Sequence, residues 1–194
     1  MPASKITRPA AVVVVTAGAT LLAGTGLASA ETDVAAPPSF TSAFTVNATP
    51  DAVVDADGAP APGQPGSGGV FTFRLNSQLD IICYDITLTG VSGDYQSPAK
   101  TATHIHQSVA GVSGPPRIAF PNPAPIGEGP RTSSGCLQGP FTTGVVRDGM
   151  DTGAGFTVAE IEADPAAFAA DAHTVDFTAG VVRGQLSPIP PAMG

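Results

Sequence analysis

Only three histidines occur in this 194-residue chain. Two sit one residue apart in "ATHIHQSVAGVSGPP" (102–116), and the third opens "HTVDF" (173–177). In a strand, residues two apart project from the same face, so His104 and His106 point together while Ile105 turns away. Such imidazoles lie about 6–7 Å apart and can chelate one zinc or copper ion. If His173 lies on a neighbouring strand, it completes a three-histidine set. Asp171, two residues earlier, then offers a fourth ligand or an outer partner. Two other uses stay open. The ring N–H groups can satisfy carbonyls of the loop around Gly111–Pro116, or the imidazoles can act as acid and base. No serine elbow is present, because "GVSGP" lacks the required glycine spacing, and no catalytic residue is assigned.

Short strands must position these groups. "VFTFRLN" (70–76) puts Phe71, Phe73 and Leu75 on one face, with Thr72 and Arg74 on the other. In "LDIICYDITLTG" (79–90), Ile82, Tyr84, Ile86 and Leu88 oppose Ile81, Cys83, Asp85 and Thr87. The residues "NSQ" (76–78) link the two strands as a hairpin. "FTSAFTV" (40–46), "TATHIHQ" (101–107) and "RIAF" (117–120) read as further strands, and 121–135 as a Pro- and Gly-rich loop. Thr157 and Glu160 have capping-box spacing, and the alanines after them predict helix within about 157–170. "HTVDF" and "VVRGQLS" then form a closing hairpin around 178–180. Arg183 is expected to pair with a carboxylate such as Asp85 or Asp176. Regular short strands with one helical insert exclude a parallel α/β sheet and indicate an all-β antiparallel sandwich or barrel.

The N-terminus reads as an export signal. Lys5 and Arg8 precede the apolar stretch Ala10–Gly24, and Ala28-Ser29-Ala30 supplies a cleavage site before Glu31. Residues 1–30 are therefore expected to be removed. That leaves 31–38 as a linker, 39–187 as one β-domain and 188–194 as an irregular tail. No later segment reaches the roughly 20 apolar residues of a membrane span. Cleavage removes two basic and no acidic residues, taking the formal charge from −8 to −10. That balance disfavours nucleic acid as a partner. Cys83 and Cys136, an even pair in an exported chain, predict a disulfide closing a loop of about 53 residues.

Two segments, "ATHIHQSVAGVSGPPRIAF" and "AHTVDFTAGVVRGQL", closely resemble the signature runs of the chordin-type (CHRD) domain, as found in secreted bacterial members. Ala102, His104, Ile105, His106, Gly111, Gly114 and Pro115 carry the first. His173, Thr174, Phe177, Gly180, Arg183, Gly184, Gln185 and Leu186 carry the other, and Asp164, Pro165 and Phe168 approximate a helical stretch between them. Ser108 stands where the family has glycine, and "AADA" (169–172) replaces its aromatic-rich run, which predicts weaker packing there. The resemblance implies an extracellular β-domain, a non-catalytic binding or structural module with an unidentified extracellular protein or surface ligand. It implies no established reaction. The His-x-His pattern is also similar to that of copper–zinc superoxide dismutases on an immunoglobulin-like sandwich, but their paired-metal site needs more histidines than this chain has.

Overall fold

A computed structural model describes residues 32–190, together with Met1. The signal reading of 1–30 and the last four residues of the tail lie outside them. The described chain is an antiparallel sandwich. Its strands are β1 (Thr32–Asp33), β2 (Ser42–Ala48), β3 (Gly68–Asn76), β4 (Ile81–Thr89), β5 (Thr103–Gln107), β6 (Pro116–Phe120), β7 (Arg131–Gln138), β8 (Val146–Arg147), β9 (Met150–Asp151), β10 (Phe168–Ala172), β11 (Val182–Gln185) and β12 (Ser187–Pro188). One sheet runs β1-β7-β4-β3-β2-β12 and the other β11-β10-β5-β6, with β8-β9 a separate hairpin.

Alternation in β3 and β4 sends Phe71, Phe73, Leu75, Ile82, Ile86 and Leu88 inward, each fully buried. From the smaller sheet Ile105, Ile118, Phe120, Phe168, Ala170 and Ala172 meet them. The Phe73 and Phe120 rings stack across the gap with centroids 5.3 Å apart. Each such large apolar side chain contributes roughly 1.5–3 kcal/mol on leaving water. The inner layer is therefore the main source of stability.

Three local expectations change. The helix α1 covers only Val158–Ala163, started by Thr157, whose N–H donates to Glu160 Oε1 at 3.2 Å. Asp164 and Pro165 stop it, a single 3-10 turn follows over Pro165–Ala167, and 168–172 is strand. "FAADA" reads as helix from alanine propensity alone, but it forms β10, buried between β11 and β5 at every position. Small side chains there allow close cover rather than weak packing. The closing hairpin pairs β10 with β11, and 173–181 is the connection between them. Residues 131–135 belong to β7 rather than to the loop before it.

The disulfide joins Cys83 to Cys136, which face each other across β4 and β7 with Cα atoms 3.9 Å apart. It ties strand to strand, not strand to loop. Val34 and Phe40 cover it together with Ile81. The segment 32–38 contributes to this edge, since Thr32–Asp33 pairs with β7 and the Val34 N–H donates to the Cys136 carbonyl.

Candidate metal centre

The outer face of the smaller sheet carries a polar cluster that the strand registers assemble. His104 of β5 lies opposite Asp171 of β10, and Asp171 lies opposite Arg183 of β11. His106 follows two residues after His104. A bulge between Ile105 and His106 changes the pairing with β6 there, a device that re-aims a strand side chain. His173 leaves the end of β10 with its N–H on the Ala102 carbonyl. The three rings converge, with centroids 5.3 Å (His104–His106), 5.3 Å (His104–His173) and 6.2 Å (His106–His173) apart. His104 and Asp171 are each 1% exposed.

Each ring is anchored from outside. His104 Nε2 bonds the Thr101 carbonyl at 2.7 Å, His106 Nδ1 the Gly114 carbonyl at 2.9 Å and His173 Nδ1 the Thr178 carbonyl at 3.0 Å. A carbonyl only accepts, so each of these nitrogens carries the proton. A neutral imidazole has one proton, which leaves His104 Nδ1, His106 Nε2 and His173 Nε2 as bare lone pairs facing inward. They face Asp171 Oδ1 at 3.6, 3.1 and 3.2 Å. His104 Nδ1 and His106 Nε2 are sealed from water with no hydrogen-bond partner. Lone pairs opposed to a carboxylate repel one another unless a positive charge lies between them.

Protonation supplies part of that charge. Burial holds the His104 imidazole below its ordinary value despite Asp171 beside it, so His104 stays neutral. Burial acts the same way on His173, but the Asp171 charge, the Asp171 contact and the Thr178 carbonyl overcome it and raise its pKa. Burial would raise the Asp171 carboxyl; electrostatic interaction with the rings of His106 and His173 and the ring contacts pull it well below its usual range. Asp171 is thus an anion, and its Oδ2 takes Arg183 Nη1 at 3.4 Å. Arg183 therefore pairs with Asp171. Asp85 and Asp176, the partners expected, are exposed elsewhere, on β4 and in the 173–181 connection. Both were nearer in composition than in space.

The donor set fits a single transition ion. Four ligands about 2 Å from one ion stand about 3.3 Å apart in a tetrahedron. The four inward atoms all lie within 4.8 Å of one another, and the three contacts to Oδ1 bracket that spacing. The outward carbonyl bonds fix tautomer and orientation as outer partners of metal-bound histidines do. A cavity of about 370 Å³, lined by Asp55, His106, Asp171, His173, Thr178 and Arg183 among others, opens over the cluster.

The remaining motif residues build the frame. A Cβ on Gly114 would meet the Gln107 carbonyl oxygen at 2.0 Å, so only glycine lets this turn close and place its carbonyl on His106. Gly111 has φ +72°, where glycine carries no penalty. The Pro115 carbonyl accepts from the Gln107 N–H. A Cβ on Gly184 would press on the Asn47 carbonyl at 2.8 Å. Gln185 Nε2 reaches the carbonyls of Ser108, Ala166 and Phe168. Ser108 does more than replace glycine. Its Oγ accepts from Arg183 Nη2 and donates to the Val112 carbonyl, locking the 108–115 loop over the ion pair. Sequence reasoning missed this role and those of the Thr101 and Thr178 carbonyls, because a backbone carbonyl leaves no trace in residue type.

Fold and site together define an all-β sandwich with one buried His/Asp cluster. The sequence profile of the CHRD domain matches residues 44–186, and the chain belongs to that family. No curated protein and no solved structure matches it. CHRD domains are extracellular, the chain carries a disulfide, and among the described residues no helix is long and apolar enough to cross a membrane.

Proposed function

We propose that this chain is an exported CHRD-domain protein that works as a non-catalytic binding or structural module built around one zinc or copper ion. His104, His106 and His173 hold the ion through their inward nitrogens, and Asp171 through Oδ1. The observation that carries this reading is the outward anchoring of all three imidazoles, which leaves two sealed ring nitrogens without any partner. Such an ion supplies the positive charge that those lone pairs and the carboxylate require. Three histidines and a carboxylate fill zinc's four positions, the arrangement of a structural ion rather than one that activates water. Arg183 holds the second carboxylate oxygen, so that Asp171 presents only Oδ1. Residues 1–30 act as a cleaved signal, and the mature chain starts at Glu31. Its partner is an unidentified extracellular protein or surface ligand.

Elemental analysis of protein purified from the exported fraction without chelator tests this. The expected result is about one zinc or copper per chain, lost in His104→Ala, His106→Ala and His173→Ala. Metal-free protein that also fails to bind either added ion ends the reading. N-terminal sequencing that returns Met1 from exported material ends its export part.

A further inference from the structure

Among the described residues, seven side-chain polar atoms are sealed from water without a hydrogen-bond partner. Two are the histidine nitrogens above. The other five are Arg131 Nε and Nη1, Tyr95 Oη, Thr101 Oγ1 and Thr174 Oγ1, and the strand registers bring their four residues to one end of the sandwich.

Arg131 starts β7 opposite Leu88, on the inner face that Leu137 shares, and it is 1% exposed. From the other sheet, the His173 N–H bond to the Ala102 carbonyl extends the β10–β5 ladder by one pair, and beyond it the Val175 N–H donates to the Asp94 carbonyl, which sets Tyr95 opposite Thr174. Alternation puts Thr174 on the face of Ala172, toward the interior, and Thr101 stands two residues before β5. Tyr95 pairs with Thr174 by an isolated bridge, and the Arg131 guanidinium lies over its ring, 5.2 Å from Cζ to centroid.

A guanidinium is always charged and only donates. Burying it without a counter-charge costs several kcal/mol, and among the described residues no carboxylate is paired with it. Tyr95 is not the missing anion. Burial raises its phenol pKa, and the opposing pull of Arg131 does not reverse this, so the hydroxyl keeps its proton. The hydroxyl oxygens of Tyr95, Thr101 and Thr174 can accept from the guanidinium as well as donate, but none of them carries a charge to match it. A water molecule could accept some of these bonds but would leave the charge unmatched.

We propose that this end of the sandwich binds a small monovalent anion of the halide class, held between the Arg131 guanidinium and the hydroxyls of Tyr95 and Thr174. The site is separate from the His/Asp cluster and does not depend on the metal reading. A cavity of about 400 Å³ lined by 90–93, 126–129 and Arg131 borders the guanidinium. Glu128, exposed between Gly127 and Gly129, is the one acidic residue in that lining, and Asp176, whose Oδ2 stands 3.5 Å from the Cβ position of Gly93, and Asp94, next to Tyr95, are the other carboxylates nearby.

Thermal melts of the full exported chain in sodium bromide and in sodium gluconate of equal ionic strength test the proposal. Bromide at tenfold its Kd is expected to raise Tm by about 3–6 °C relative to gluconate. Tyr95→Phe keeps the ring but deletes one donor, and should weaken bromide by about tenfold or more. Arg131→Met should abolish the shift, and Glu128→Gln should keep it or enlarge it. A bromine-edge anomalous map should place the ion beside Arg131. Equal Tm in both salts with no anomalous peak overturns the proposal. So does a Glu128→Gln protein that is destabilised in gluconate and blind to bromide, since Glu128 is then the counter-ion. If Arg131→Met does not fold, the Tyr95 and Glu128 variants still decide.

Discussion

The two sheets cover their outer faces by opposite means. On the larger sheet, β4 and β7 are bolted by Cys83–Cys136 and capped with Ile81, Val34 and Phe40, an apolar and covalent cover. On the smaller sheet the same depth is filled by His104, His106, Asp171, His173 and Arg183 under two loops. An apolar cover tolerates the loss of one member in proportion to the area removed. A buried polar cluster does not, because each member is the partner that makes the next one affordable.

Deleting the central charge tests that difference most severely. Asp171→Ala leaves Arg183 buried without its carboxylate, which should destabilise the protein by about 3–5 kcal/mol. Denaturant unfolding measures it, and a loss below 1 kcal/mol would remove the distinction. Opening the covalent side comes next. Replacing both cysteines by alanine should cost about 2–4 kcal/mol, set mainly by the loop of 53 residues released in the unfolded chain. Mass before and after reduction with alkylation reports the bond itself, and two alkylatable thiols in the unreduced native protein would exclude it. Ser108→Gly, which restores the residue typical of the family, should cost roughly 1 kcal/mol by removing one of the two bonds of Arg183 Nη2, the other going to the Val112 carbonyl at 3.0 Å. A neutral result would show that the Val112 carbonyl alone satisfies this nitrogen.

The same contrast explains what the sequence discloses. Period-two alternation in β3 and β4 is strong because one face meets the core and the other meets solvent or the disulfide. β10 is buried on both faces, so it shows no alternation, and its alanines imitate a helix. The first part of β7, 131–135, reads as loop because Ser133, Ser134 and Gly135 lack β-propensity and Thr132 alone does not mark a strand. Pairing with β4 overrides this, and Gly135 leaves room for Tyr84, whose hydroxyl would stand 2.9 Å from any Cβ there. The histidines could be grouped in advance because strand parity fixes His104 with His106. Arg183 could not be assigned to Asp171, since that choice depends on which strands are neighbours, a long-range fact. The buried donors around Arg131 are invisible for the same reason.

The smallest expected effect separates the two faces by pH. In metal-free protein, kept so by a chelator, His104 has a folded pKa below the reference 6.5. The unfolded chain then takes up a proton that the fold refuses, so stability falls as pH drops below about 6.5. His173 has a raised folded pKa; its contribution is full below 6.5 and is lost as pH climbs through the folded value. Asp171, with a depressed pKa, contributes above about 3.8 and loses that only in stronger acid. The two histidines together predict a stability maximum just above pH 6.5 in denaturant unfolding between pH 5 and 9. His173→Gln should remove the alkaline decline, and His104→Gln the acid-side decline. Among the described residues no histidine lies on the disulfide side, so between pH 5 and 9 the double cysteine variant should lower the whole curve and keep its shape. A wild-type profile that is flat from pH 5 to 9 would mean that these rings feel neither burial nor Asp171 as described. A cysteine variant with an altered profile would mean that the two faces are coupled through the core, and the comparison between them would fail.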